Sequence, residues 1–569
     1  MKKYIEHHWI AFTGVIILVY CLLLSIQGFD FTDEGYVLVG YQNFFDDHLN
    51  DRHLNGYYLT AFVGGIWEKL FGTGGWYSFR VLNCLIILGG YVAVCYTLRD
   101  YWHKKWWIFA GFVFVIVYMI SVHGTLVFHY YTFSAFMNCI IALLLYKSFK
   151  NNNNILLLIS SILLGLNIFV RLPNIMLCGI PFALSCIAMI YDRNHMVLYK
   201  QIGIICIGLF LGILLSLFVL FIFDHEEMYL ESLNSLTKTA QNAQDTHGIL
   251  PMIKTYSIHA IYVLLLMAVF IIFLGGIKHI FKHANPKNRN AYYILIICSS
   301  LILFFIIKVF FVIPYVRIML FLALAYVFSL FIIYKQRNHK NTVIMISLFI
   351  MVSLLQPIGS DYGIGNMGPY AIWGLIPVCL AIFMDTISRD NKEHFSTKLL
   401  TLSIGTIIFC LTMPLIRDNL LYCYRDEGAR FEKTFKISSL PNANIYTSKQ
   451  RAEEIDSIIH ICRQYGNKSD SVFFALDVPG LYYLTHVKPY LDNPWPNLLS
   501  IGKMDDIMKE EKNNPLPPFI VRRLMKEKKG NLIVEKRIEY NNKVLEKFIF
   551  ENHYKPLWQN INYIIYIHK

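Results

Sequence analysis

The chain has 569 residues, of which 56% are hydrophobic, 15% aromatic and only 16% charged, and its mean hydropathy is +0.46. That balance excludes an ordinary soluble protein and places the chain in a membrane. The formal net charge of +13 follows from the retention of basic loops on one side of a bilayer, so nucleic acid is not needed as a partner to explain it.

Crossing about 30 Å of hydrocarbon takes roughly 20 predominantly apolar helical residues, because backbone polar groups cannot be left unpaired in lipid. Apolar runs of this kind fall near 9–26, 81–98, 106–122, 130–146, 155–170, 173–190, 202–223, 257–277, 291–307, 317–334, 342–356, 369–385 and 399–416, giving thirteen candidate spans. The first follows Lys2 and Lys3 and has no small-x-small cleavage pattern, so it reads as an uncleaved anchor. Lys and Arg sort by alternate loops. One set is rich, with Lys104, Lys105, Lys147, Arg193, Lys278, Arg289, Lys335 and Lys398; the other, before the last span ends, holds little beyond Arg52, Lys69, Lys238 and Lys254. Basic loops stay cytoplasmic. The expectation is therefore a cytoplasmic N-terminus, a transmembrane domain over 1–416, and an exterior domain over 417–569.

Three exterior segments stand out. The first loop, 27–79, contains "YVLVGYQNFF" and "YYLTAFVGGIWEKLFG", which read as helices lying along the membrane surface with aromatic faces down. The second, 224–256, is a polar helical stretch broken before Pro251, readable as a lid or as a connector. The third is the C-terminal 417–569. There "SKQRAEEIDSIIHICRQYG" has helical periodicity, while "SVFFAL", "PFIVRRLM" and "NINYIIYIHK" read as strands, predicting a small α/β domain. Ten of the twelve cysteines lie in apolar spans; Cys423 and Cys462 lie outside, either as a disulfide or as two unrelated small residues. No repeat of 20 to 50 residues and no half-to-half similarity is evident.

At the end of the first span, "SIQGFDFTDEGY" places Asp30, Asp33 and Glu34 at the edge of the hydrocarbon. Part of this fits a helix start, with Thr32 as N-cap and two acids in the first turn. Capping leaves Asp30 unexplained. The order of a first span, an acidic pair at its outer end and then "HLNGYYLTAFVGGIWEKLFGTGGWYSFR" resembles the GT-C glycosyltransferases, in particular the protein O-mannosyltransferase and aminoarabinose transferase branch. The family pattern of a basic residue, Pro-Pro, Leu, Tyr-Tyr, a Lys-Leu-Phe-Gly turn and an Arg corresponds to His53, Tyr57, Tyr58, then Lys69, Leu70, Phe71, Gly72, and Arg80. Leu54 and Asn55 replace the Pro-Pro pair, and Arg52 stands where some relatives carry a metal-holding acid, so no metal or other cofactor is expected.

The resemblance implies an α-helical polytopic enzyme, at home in a bacterial inner membrane, that takes a sugar from a polyprenyl-phosphate donor. It passes that sugar, with inversion, to an acceptor glycan, lipid or protein at the exterior face. Asp33 is then the general base for the acceptor's proton, with Glu34 beside it in the catalytic pair and Asp30 orienting hydroxyls. An anionic lipid phosphate leaving group needs fixed positive charge in a poorly hydrated site. His53, Arg80, Arg171 in "FVRLPN" and Arg317 in "IPYVRIML" are the candidates, each readable also as a snorkelling or interface-anchoring side chain, as is Lys308. The Gly-rich "QPIGSDYGIGNMGPY" with Asp361 reads either as a sugar-lining turn or as a plain hairpin. His123 and His129 sit at another turn among interfacial aromatics, with no zinc spacing. Two other classes stand beside this reading. A transporter or flippase of lipid-linked sugars predicts repeats and mid-span ionisable groups. An O-antigen ligase or polymerase predicts its large loop late in the chain.

Overall fold

The structure is a computed structural model that describes residues 2–45, 54–123, 126–241, 248–281, 289–310, 316–360, 362–390, 394–440, 443–466, 471–475, 477–491, 493–498, 502–510, 515–524 and 532–568. Among the described residues, eight helical segments are long and apolar enough to cross a membrane, and five shorter apolar helices accompany them. Every apolar run of the sequence falls on one of these segments. The chain is an integral membrane protein.

In chain order the helices are α1 (Lys2–Ser25), α2 (Asp33–Gln42), α3 (Tyr58–Phe71), α4 (Gly75–Thr97), α5 (Lys105–His123), α6 (Tyr130–Asn151), α7 (Asn154–Val170), α8 (Ile180–Asp192), α9 (His195–Ile222), α10 (Glu226–Gln241), α11 (Ile249–Phe281), α12 (Arg289–Phe310), α13 (Val316–Lys335), α14 (Lys340–Leu355), α15 (Ile364–Ala371), α16 (Leu375–Asp390) and α17 (His394–Leu421). Packing in the bundle relies on small residues where helices meet. Gly208 and Gly212 of α9 lie against Ser161, Ile162 and Gly165 of α7 so closely that a Cβ on Gly212 would stand 2.2 Å from the Ile162 carbonyl. The same helix presents Phe210, Leu214, Phe218 and Phe221 outward, the exposed apolar face expected of a helix bordered by lipid.

Helix α17 runs past residue 416 to Leu421, and a short antiparallel pair follows, β1 (Tyr422–Cys423) and β2 (Asp426–Ala429). The rest of the C-terminal region comprises α18 (Lys449–Tyr465), β3 (Ser471–Ala475), α19 (Gly480–Thr485), β4 (Lys488–Pro489), α20 (Lys503–Glu510), β5 (Phe519–Arg523), α21 (Leu532–Glu551), β6 (Lys555–Gln559) and β7 (Tyr563–Ile567). The five-stranded sheet has the order β4-β3-β5-β7-β6; β3 is parallel to β4 and β5, and β7 is antiparallel to β5 and β6. Alternation along the strands divides two cores. Val472, Phe474, Phe519, Val521 and Ile565 join the core that contains α2, whereas Phe473, Ala475 and Ile520 join one with Leu545 and Ile549 of α21.

Helix α2 does not present an aromatic face outward. Glu34 to Tyr41 are all buried, because α2 is wedged between α3 and α19. Gly35 permits this approach: a Cβ there would stand 2.4 Å from the Gly480 Cα, and the Gly480 N–H donates to the Phe31 carbonyl at 2.8 Å. The C-terminal region is thus packed directly on the acidic loop.

Candidate functional site

The corner at residues 25–34 is built by its own acids. Asp30, almost fully buried, accepts hydrogen bonds from the Thr32 N–H (3.0 Å), the Thr32 hydroxyl (2.6 Å) and the Glu34 N–H (3.3 Å). An Asp side chain closing onto amides two to four residues ahead is a turn-forming arrangement, and it starts α2. Thr32 holds the N-cap position, yet its hydroxyl does not cap the helix; Asp30 performs that service. This corrects the Thr32 cap; Asp30 forms the turn and also lines the cavity described below.

Glu34 is fully buried. Its carboxylate accepts from Arg80 (2.6 Å), the Trp76 indole N–H (2.6 Å), and the backbone N–H groups of Leu126 (2.6 Å) and Val127 (3.2 Å). Arg80 in turn donates to the carbonyls of Ser25 (2.8 Å), Gln27 (3.2 Å) and Gly28 (2.6 Å), neutralising the C-terminal end of α1. Buried charges persist when paired and hydrogen-bonded, so this pair is framework. Glu34 is thus tied into the framework, and it also lines the cavity described below.

Asp33 faces the other way, with 30% of its side chain exposed, 3.2 Å from Arg425 and 3.3 Å from the Tyr424 hydroxyl, which donates to it. Arg425 also bonds the Thr32 hydroxyl and lies 3.9 Å from Asp30. Burial pushes the Asp33 carboxyl up to about 7; Arg425 draws it down, while Asp30 and Glu34 add to the push.

Tyr424 and Arg425 line a cavity of about 270 Å³, together with Gln27, Asp30, Arg80, Tyr422 and Arg430. Arg430 fastens this cavity shut behind: it donates to the carbonyls of Asn419 (2.8 Å), Leu24 (3.0 Å) and Tyr422 (3.0 Å), tying the ends of α1 and α17 to β1. Gly28 is pressed against Cys423, where a Cβ would stand 2.6 Å from the Cys423 Cβ, and its φ of +88° suits glycine. The buried Arg80 Nε has no hydrogen-bond partner. The site thus offers one half-open acid, one half-open cation and a buried guanidinium N–H without a partner. A carboxylate can accept a proton and a guanidinium can hold an anion.

The other candidates lie elsewhere. Arg171 is buried and donates to the carbonyls of Gln356 (2.9 Å) and Ile358 (3.1 Å), clamping the turn after α14 and away from the cavity walls. Tyr58 is fully buried, its hydroxyl 3.1 Å from His225 Nδ1, and Tyr57 stacks on Tyr130 with ring centroids 3.7 Å apart; both are packing residues of the loop and not contacts to the cavity. Arg317 is half-buried at the start of α13 and does not line the cavity. His129 caps α6, accepting from the Tyr131 N–H at 3.3 Å. His53 and Asp361 lie outside the described residues, as do the side chains of His123 and Lys308. Cys423 and Cys462 are both free.

Sequence reasoning missed Tyr424, Arg425 and Arg430. A signal was present: "RDNLLYCYRDEGAR" puts three arginines on the expected exterior side directly after the last span, against the general bias of basic residues.

No protein-family profile matches the chain, and no curated protein sequence matches it. Among solved structures the chain is similar to the apo form of the Archaeoglobus fulgidus oligosaccharyltransferase, with 11% identity and a TM-score of 0.45 over 90% of this chain and 69% of that one.

Proposed function

We propose that the chain is a GT-C-type glycosyltransferase that moves a sugar from a polyprenyl-phosphate donor to an acceptor at the exterior face of the membrane. The observation that carries the reading is the half-exposed Asp33 paired at 3.2 Å with Arg425, which itself lines an arginine-rich cavity of about 270 Å³ where the membrane helices meet the C-terminal region.

In this reading the acceptor hydroxyl or amine attacks the anomeric carbon and gives its proton to the Asp33 carboxylate. The bond between that carbon and the phosphate oxygen breaks, and the lipid phosphate departs with the electron pair. A single displacement of this kind inverts the anomeric centre. Arg425 and the unpartnered Arg80 Nε face the developing negative charge from two sides, and a poorly hydrated setting strengthens both. A carboxylate raised to about 7 matches a general base working near neutral pH.

The test is turnover of a panel of polyprenyl-phosphate sugars by the purified protein. Consumption of at least one donor by the wild type, with loss of that turnover in Asp33→Asn, supports the reading. Turnover undiminished in Asp33→Asn, or no donor bound or consumed by either protein, overturns it.

A further inference from the structure

A second and larger cavity, of about 650 Å³, lies between the turn linking α3 to α4 and the helices α18 and α19. That size is in the range of ligand sites, which favour junctions between structural units. The "KLFGTGG" turn forms one side and Arg463, Tyr483 and His486 part of the other. It is separate from the smaller cavity, with which it shares no lining residue: Trp76 lines the larger space, and its indole N–H donates to Glu34, which lines the smaller one.

The lining has the character of an amphiphile site. Two permanent cations, Lys69 and Arg463, face a single acid, Glu68. Glu68 is engaged by the Tyr483 hydroxyl at 3.3 Å. Lys69 holds its ammonium 4.1 Å over the Phe45 ring, and Arg463 spends one guanidinium nitrogen on the Ser439 carbonyl at 2.9 Å while the side chain remains exposed. Between these cations the walls are aliphatic, with Leu440, Ile459 and Val487. Leu70, which is 67% exposed, lines the cavity, and Ile66 and Phe71 near it at the end of α3 are exposed as well. In a membrane protein such a face borders lipid chains, and cations at the same level meet headgroups.

We propose that this cavity binds a lipid with an anionic phosphate head. The phosphate sits between Lys69 and Arg463 and the chain lies over Leu70 and Phe71, so that the lipid bridges the membrane helices and the C-terminal region. The proposal does not depend on the glycosyl-transfer reading. Two sources share this chemistry, a diacyl phospholipid of the bilayer and a polyprenyl phosphate.

The test is native mass spectrometry of the full chain in zwitterionic nanodiscs doped with either phosphatidylglycerol or a polyprenyl phosphate. The wild type is expected to retain the doped lipid. Lys69→Gln with Arg463→Gln is expected to lower its occupancy about tenfold or more, two charge-assisted contacts being lost. Thr73→Trp fills the cavity from an exposed turn position without changing charge, and is expected to act likewise even if the double variant folds poorly. Asp33→Asn should retain lipid as the wild type does, which separates this site from the proposed reaction. Retention of one doped lipid alone names the source. Retention of neither, or equal retention by wild type, double variant and Thr73→Trp, overturns the proposal.

Discussion

Two acid–arginine pairs stand side by side at the start of α2 and have opposite characters. Glu34 and Arg80 meet at 2.6 Å, exposed by 0% and 2%, and every acceptor position of the carboxylate is filled by Arg80, Trp76 and two backbone amides. Asp33 and Arg425 meet at 3.2 Å, exposed by 30% and 39%, with only Tyr424 added. In the proposed reaction adjacent residues thus divide into framework and chemistry, and the division follows how many donors each acid receives and from where. Glu34 draws on α4 and on the turn before α6, so it holds three segments in register. Asp33 draws on the segment after the last span and stays partly open.

Breaking the closed pair should cost the most. Glu34→Ala leaves Arg80 buried without its acid and strips the Leu126 and Val127 amides of their acceptor. Removing one partner of a buried pair costs about 3–5 kcal/mol. The expected outcome is a large fall in folded yield and in thermal midpoint, measured by size-exclusion fluorescence with heating. Breaking the open pair should leave the fold and remove the chemistry: Asp33→Asn is expected to lower turnover by roughly 10²- to 10⁴-fold, the usual worth of a general base, with the thermal midpoint changed little. A comparable loss of stability in both variants would erase the distinction between them.

Arg425→Gln is next in size. Loss of one fixed donor to developing charge typically lowers the rate about 10²- to 10³-fold, and single-turnover rates at saturating donor measure it. Smaller still is Arg171→Met. Its guanidinium serves two backbone carbonyls of the turn after α14, so about 1–3 kcal/mol of stability is expected to go, read by the thermal midpoint. Turnover per folded molecule should be unchanged. A rate loss in Arg171→Met as deep as that of Arg425→Gln would move the anion site to the other turn.

The contrast between Arg171 and Arg425 also marks how far the sequence was legible. Arg171 directly follows an apolar run and Arg425 lies nine residues beyond one, and sequence pattern alone does not say what either meets. Arg171 meets backbone carbonyls across the bundle and Arg425 meets acids at the far end of the chain, so the assignment needed tertiary contacts. Features set by local pattern were readable: the apolar runs, the period of α18, and the strands at Ser471–Ala475, Phe519–Arg523 and Tyr563–Ile567. The short β4 and the edge strand β6, each carrying a proline, gave no strand pattern. Asp30 was legible in principle, because an Asp two residues before a Thr and four before the first turn's Glu is a self-closing turn. The acidic motif was legible; how the three acids differ in burial and in donors was not, since those are properties of the fold.

The finest test of the open pair is its pH dependence. Asp33 must be ionised to take a proton, and its carboxyl is pushed up to about 7. Turnover should therefore rise with pH and level off above about 7, falling roughly tenfold per unit on the acid side. Arg425 draws the Asp33 value down, so Arg425→Gln should shift the acid limb to higher pH in addition to lowering the plateau. Arg425→Lys keeps a positive charge beside Asp33 and should leave the limb close to its wild-type position. The two functions of Arg425 then separate in one experiment. A lowered plateau with an unmoved limb in Arg425→Gln would mean that the arginine acts on the leaving group alone and that another charge tunes Asp33. A moved limb with an intact plateau would mean the reverse, and the anion would rest on Arg80 Nε.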